Sequence, residues 1–232
     1  MLTLLPDGAG FVEGSVCAAD LVDRLVGEAD YVFHLAARNI VRSTTAPRED
    51  LDVNVGGTMN VLLAARDRGI QRVLYSSSAS VYGDAQSYSE LNLPKLSSPY
   101  AVSKLAAEHY CTMFGTLHGT PVTVLRYSNV YGPGQSPRNP YCGVIGSFFA
   151  SCMAGKALRV YGDGTQVRDY TFIDDTVYAT LDAAESSNTI GKTLNVGTGV
   201  GTSVLNLATA VQATVGSDAC GVEHVAVRDI DT

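Results

Sequence analysis

The chain has 232 residues, 46% hydrophobic and 17% charged, with a net charge of −7. That composition excludes a disordered chain and suits one large domain or two small ones. An acidic balance without a basic cluster excludes a nucleic-acid surface, and no apolar run has the length of a membrane span. The five cysteines (Cys17, Cys111, Cys142, Cys152, Cys220) are odd in number and lack CxxC or Cys/His spacing. This predicts reduced thiols, with neither a disulfide framework nor a zinc site, in a cytoplasmic protein without nucleic-acid or membrane partners and without metal.

In chain order, Phe11–Gly14 reads as a short strand. Gly8, Gly10 and Gly14 beside it suggest a glycine-rich phosphate loop. Such a loop follows a buried strand, however, and Met1 to Pro6 makes a poor one. Ala18–Val26 predicts an amphipathic helix, and Ala29–Ala37 a buried strand ending in small residues. Asn54–Arg68 predicts a helix with Val55, Met59, Leu62 and Leu63 on one stripe, closed by Gly69. Val73–Ser78 is a strand that runs into three serines. Pro99 to about Leu117 is a helix with Ser98 at its N-cap and proline in its first turn. Val122–Tyr127 is a further strand.

Beyond Asn129 the texture changes. Gly132–Pro140 is a loop rich in glycine and proline. Cys142–Ala154 reads as a helix, and Leu158–Tyr161 and Tyr170–Ile173 as short strands. Asp174 caps a helix through Ala184 that carries Val177, Leu181 and Ala184 on one face. Leu194–Gly197 is a strand, and Ser203 caps a last helix to Val215, closed by Gly216. Strands alternating with helices predict an α/β, doubly wound parallel sheet.

The stretch from Leu74 to Lys104 carries the chemistry. Tyr100 and Lys104 are four apart in a helix and share a face. A tyrosine near its reference pKa of about 10 is a poor base at neutral pH, and a nearby ammonium favours the phenolate. Reaching about 7 needs roughly 4 kcal/mol of differential stabilisation, so a second positive charge beside Lys104 helps. Ser78, at the strand end, can hydrogen-bond the same substrate oxygen and share its proton.

These residues belong to a series of motifs: HLAA (34–37), NVGGTMNVL (54–62), SSSASVYG (76–83), YAVSK (100–104), RYSNVYGP (126–133) and VRDYTFIDD (167–175). In order and spacing the series resembles the extended short-chain dehydrogenase/reductase family, in its nucleotide-sugar epimerase/dehydratase branch, over roughly residues 11 to 230. The resemblance implies a Rossmann-type fold with a smaller C-terminal substrate lobe. It places an NAD-binding domain at 1–128, joined by 172–200 returning to the sheet, and the lobe at 129–171 and 201–232. It implies Ser78, Tyr100 and Lys104 as the catalytic residues. Around the cofactor, NAD, it implies Leu35, Ala36, Ala37, Asn54, Ser76, Ser77, Tyr100, Lys104 and Tyr127. Toward a nucleotide-diphosphate sugar it implies Ser78, Asn129, Val144 and Arg168.

Simpler readings stand beside these. Ala36 and Ala37 fit close packing, Asn54 fits an N-cap, and Arg168 fits a surface pair with Asp169. Dehydratases and decarboxylases of the branch carry an acid shortly after the strand-end serine, where this chain has Ala79 and Ser80. The resemblance therefore implies NAD-dependent 4-epimerisation of the UDP-glucose/UDP-galactose type through a 4-keto intermediate. The alternatives are a 4-keto-sugar reductase, a dehydratase or decarboxylase, and a catalytically dead nucleotide-binding regulator. It also implies a homodimer through the helices at 54–68 and 99–117, with Val61 and Met113 as extra apolar positions. Phe11–Gly14 aligns with the family's third strand, so the resemblance implies a chain lacking the opening glycine-rich βαβ unit, which binds NAD poorly and exposes a sheet edge.

Overall fold

The segment Arg72–Ser78 alternates its side chains between two apolar environments, and that alternation sets the architecture. Val73 and Tyr75 join one buried cluster, while Leu74 joins another on the opposite face. A strand buried on both faces needs helices above and below. The computed structural model, which describes residues 5–85, 87–135, 143–216 and 220–227, supplies both layers.

Strands β1 (Tyr31–His34), β2 (Arg72–Ser78), β3 (Val122–Tyr127) and β7 (Thr193–Val196) form a parallel sheet in the order β1-β2-β3-β7. On one face lie α1 (Ala19–Val26), α4 (Thr58–Arg68) and α5 (Pro99–His118), burying Val22, Leu62, Ala107 and Cys111 against Val73, Tyr75, Val122 and Val124. Leu62 is fully buried, which is worth about 1.5–3 kcal/mol. On the other face α7 (Ile173–Glu185) packs Ala183 and Ala184 on Leu74, Leu125 and Val196. The fold is a Rossmann-type α/β arrangement with helices on both sides of a parallel sheet.

Between β1 and α4 the chain makes α2 (Ile40–Thr45) and α3 (Pro47–Asp50), then a π-helical turn, Leu51–Gly57, that leads straight into α4. A second set of elements packs around its own core. These are β4 (Asn129–Tyr131), α6 (Val144–Met153), β5 (Leu158–Tyr161), β6 (Val167–Phe172), β8 (Gly201–Ser203), α8 (Val204–Val215) and β9 (Val222–Val225). Strand β6 pairs with β4 in parallel and with β8 antiparallel, and β5 pairs with β9. Phe148, Leu158, Val160, Leu207 and Val211 fill the core between α6, α8 and β5.

Helix punctuation follows the residues. Ser98 accepts from the amide of Ala101 at 3.1 Å and Ser203 from that of Asn206 at 3.1 Å, while Gly69, Gly119 and Gly216 close their helices in the left-handed conformation.

Several expectations are corrected. Phe11–Gly14 is not a strand: Phe11 and Val12 are 59% and 48% exposed and have no strand to pair with among the described residues. The strand expected over 29–37 is regular only at Tyr31–His34. Asp174 does not cap α7, whose N-cap is Phe172 with no side-chain bond. That helix buries Thr176, Thr180, Ala183 and Ala184, leaving Val177 and Leu181 exposed, because the small residues allow close approach to the sheet. On α4 it is Val61, not Leu63, that faces inward.

The thiols also differ from expectation. Cys152 and Cys220, 68 residues apart in sequence, are joined by a disulfide with their Cα atoms 5.4 Å apart inside the α6–α8 core. Spacing along the chain gave no sign of this pair, because packing brings the two together. Cys17 and Cys111 are free, and Cys142 lies outside the described residues.

Candidate active site

Parallel strands direct their C-terminal ends to one edge of the sheet, where helix N-termini meet them. At that edge Ser78 ends β2 and α5 begins with Tyr100 in its first turn. The helix is fixed by its own buried face. Lys104 is 1% exposed, and its Nζ donates to the carbonyl of Ser76 at 2.6 Å. The ammonium stands 5.0 Å from the ring centre of Tyr75 and 5.8 Å from that of Tyr100. One turn on, Glu108 receives Arg126 through Nε at 2.9 Å and Nη2 at 2.7 Å, and the hydroxyl of Ser77 also donates to it. Successive turns of α5 are thus pinned to β2 and β3.

The electrostatics differ from the expected scheme. Burial pushes the Tyr100 phenol up, opposed by its hydrogen bond with Ser78, while the negative charge of Asp50 pushes it further up. The expected lowering of this phenol by Lys104 is therefore not the governing effect. Burial instead pulls Lys104 down to about 8, against the raising charge of Asp50. His34, at the end of β1, is buried, bonded to Thr58 Oγ1 at 2.9 Å, and pulled down to about 4 by burial and by Lys104.

Two cavities open at this edge of the sheet, and Ser78, Tyr100 and Lys104 line neither. One, about 420 Å³, lies at the end of β1 and is lined by Ala37, Arg38, Asn39, Arg42 and Glu49. The other, about 860 Å³, lies beyond β3 and β7, with Ala79, Ser128 and Arg168 on its walls. Leu35, Ala36 and Ala37 are exposed at the end of β1. Asn54 lies within the π-helical turn and is not an N-cap. Its Oδ1 accepts from the amide of Arg38 at 2.7 Å and its Nδ2 donates to the Arg38 carbonyl at 3.2 Å, which fixes the turn beside the alanines.

The remaining expected residues are distributed as follows. The Ser77 hydroxyl is buried against Glu108 and is not presented to the crevice. The Tyr127 hydroxyl bonds Thr180 of α7 at 2.8 Å. Asn129 is exposed at the start of β4, and Val144 opens α6 and packs on the second core; neither lines the larger cleft. Arg168 does line it and makes no ion pair among the described residues. Its neighbour Asp169 instead accepts from the amides of Thr198 at 3.1 Å and Gly199 at 2.8 Å. A Cβ at Gly197 would lie 2.6 Å from that carboxylate, so only glycine leaves it room.

Sequence reasoning missed Glu108, Tyr82 and Asn195. The Arg126 Nη1 donates to Tyr82 Oη at 2.8 Å, and the Tyr82 hydroxyl reaches Asn195 Oδ1 at 2.8 Å. The signal for Glu108 was present: it lies four residues after Lys104, on the same helical face.

Lys104 hydrogen-bonds only the Ser76 carbonyl among the described residues, leaving donors of its ammonium for a sugar diol beside the exposed alanine turn. These groups fit a nicotinamide ribose.

Comparison with known proteins agrees with the geometry. Residues 3–197 match the family model described as NAD dependent epimerase/dehydratase family. A UDP-glucose 4-epimerase of Mycolicibacterium smegmatis is 39% identical over 212 residues, covering 89% of this chain and 67% of the relative. The solved UDP-glucose 4-epimerase of Thermotoga maritima with UDP-glucose superposes with a TM-score of 0.91 at 32% identity, covering 98% of this chain and 75% of that one. The dTDP-glucose 4,6-dehydratase of Streptomyces venezuelae with NAD bound has a TM-score of 0.85 at 30% identity, covering 95% and 68%.

Proposed function

Because the chain belongs to the NAD-dependent epimerase/dehydratase family, we propose that it inverts C4 of a nucleotide-diphosphate hexose of the UDP-glucose/UDP-galactose type. The observation that carries this reading is Ala79, which follows Ser78 and lines the larger cleft. A dehydratase or decarboxylase needs an acid near this point, and Ala79 and Ser80 supply none. Asp169, also on the cleft, is held by the turn at 198–199.

In this reading Tyr100 takes the proton of the 4-hydroxyl, and Ser78 holds the same oxygen. Lys104 holds the ribose of the cofactor and adds positive charge near the phenol. Bound NAD supplies a reversible hydride acceptor. Since burial raises the phenol, ionisation of Tyr100 depends on positive charge arriving with the cofactor. Tyr100 would return the proton once the 4-keto sugar had turned over in the cleft, the cofactor, when bound, giving back to the other face the hydride it took. Arg168 takes the diphosphate, for which its fork of donors is suited. Residues 1–128 with 172–200 are the dinucleotide domain, with Leu35, Ala36, Ala37, Asn54, Ser76 and Tyr127 around the cofactor, while the Ser77 hydroxyl is turned to Glu108. Residues 129–171 and 201–232 are the substrate lobe, to which Asn129 and Val144 belong.

We assign a homodimer to the outward stripe of α4 and α5, where Leu63, Tyr110, Met113 and Leu117 are 36%, 43%, 45% and 67% exposed. Val61 is buried in the core and takes no part.

The test is incubation with UDP-galactose and NAD. Interconversion with UDP-glucose and no net NADH supports an epimerase, whereas stoichiometric consumption of NADH with a 4-keto sugar indicates a reductase. Tyr100→Phe should lower turnover by about two or more orders of magnitude while the melting temperature holds. Near-normal turnover in that variant removes the assignment.

A further inference from the structure

Asp50 ends α3, outside the motifs named above, and is 2% exposed. Its Oδ1 accepts from Asn54 Nδ2 at 2.7 Å, and the same Nδ2 lies 3.0 Å from Ser103 Oγ, which brings the Ser103 hydroxyl beside the carboxylate. Ser103 in turn donates to the carbonyl of Tyr100 at 3.0 Å, so the carboxylate lies under the turn of α5 that joins Tyr100 to Lys104. Asp50 has no ion-pair partner among the described residues, and its donor Asn54 is neutral. A buried carboxylate with only neutral donors is costly unless an opposite charge compensates it.

Lys104 poses the mirror-image problem. Around it stand His34 of β1, Tyr75 and the Ser76 carbonyl of β2, and Tyr100, Glu108 and Cys111 of α5. His34 is neutral above about pH 4, the phenols and the thiol are neutral, and the Glu108 charge is met at close range by Arg126. Lys104 itself makes no ion pair among the described residues. Among the described residues neither of these two buried groups of opposite sign makes an ion pair, and both lie at the turn of α5 that joins Tyr100 to Lys104.

We infer that Asp50 is the buried counter-charge of Lys104, a positioning residue that keeps the ammonium protonated and sets the pH range in which Tyr100 cycles. This deepens the epimerase reading and rests on it for the catalytic consequence, but not for the charge coupling. The directions agree: Asp50 raises both Lys104 and Tyr100, and Lys104 draws Asp50 down against the upward push of burial.

The coupling can be read without any substrate. The chain has four lysines, Lys95, Lys104, Lys156 and Lys192, so a spectrum of protein labelled with ¹³C at the lysine ε carbons holds few signals, and the loss of one in Lys104→Met assigns Lys104. In Asp50→Asn, which keeps an acceptor for Asn54, the Lys104 midpoint should fall by about one pH unit, the scale of one charge partner. The reciprocal measurement uses Lys104→Met, in which the Asp50 carboxyl midpoint should rise by about the same amount. It decides the matter even if Asp50→Asn does not fold. Unchanged midpoints overturn the inference.

With UDP-galactose, Asp50→Asn should shift the whole pH profile of kcat down by about one unit, because both limbs lose the same raising charge. A merely structural role would lower the profile without moving it, and would also overturn the inference. Shifted midpoints in a protein that turns over no sugar leave the charge coupling standing and remove the epimerase reading. Turnover with an unmoved profile does the reverse.

Discussion

Replacing Glu108 by glutamine should be among the most damaging conservative changes in this chain. The carboxylate and the Arg126 guanidinium have side chains only 4% and 7% exposed. Glu108 takes Arg126 Nε on both oxygens, at 2.9 and 3.2 Å, takes Nη2 at 2.7 Å, and also receives Ser77. Glutamine keeps one oxygen and turns an NH₂ toward donors, so the guanidinium stays buried with its charge unmet. Breaking a buried pair from one side costs about 3–5 kcal/mol. For a chain of this size that is a fall in Tm of roughly 10 °C. Urea unfolding followed by circular dichroism measures it, with Glu108→Leu/Arg126→Met as the companion, since a well-packed apolar replacement of a buried pair is often neutral. A loss below about 1 kcal/mol in Glu108→Gln would refute the reasoning, as would a double variant that loses as much as the sum of the two singles.

Other outcomes follow from single residues. Arg168→Ala should raise KM for the nucleotide sugar by about 10- to 100-fold, the scale of one charged hydrogen bond, with little change in Tm; an unchanged KM places the diphosphate elsewhere. His34 is held neutral, with a folded value of about 4 below its ordinary 6.5, so the native state binds fewer protons between these values and stability is lost as pH falls through that window. The wild type should therefore lose about 2 kcal/mol more than His34→Leu between pH 7 and pH 5, read by urea unfolding at both values. A monomer mass at micromolar concentration in light scattering would remove the dimer assigned to α4 and α5.

How much of this was legible in the sequence depends on the range of the interaction concerned. The helix of Tyr100 and Lys104 was readable with its caps, because Ser98, Pro99 and Gly119 act through neighbouring residues. Strands β2 and β3 were readable because burial on both faces concentrates apolar residues, Val73, Leu74 and Tyr75 in one and Val122, Val124 and Leu125 in the other. Phe11–Gly14 failed for the converse reason, since an apolar pair in sequence is a strand only if a neighbour takes its hydrogen bonds. The inward face of α7 was misread because its contact is made by Thr176, Thr180, Ala183 and Ala184, while the larger Val177 and Leu181 lie outside.

The site divides along the same line. Proximity of Tyr100 to Lys104 is a helical periodicity and was legible. The direction of their titration was not, because it depends on how deeply the turn is buried and on Asp50, which precedes Tyr100 by fifty positions and reaches it through Ser103. Arg168 shows the same dependence. Sequence offers Asp169 as its partner, but β6 is a strand, so adjacent side chains face opposite ways, and the carboxylate turns to the amides of Thr198 and Gly199. Gly197 gives that carboxylate its space, and Arg168 is left on the cleft wall without a carboxylate partner among the described residues. The features that give the site its chemistry, a guanidinium on the cleft wall without an ion pair among the described residues and a phenol raised by burial, are the ones set by contacts between distant segments.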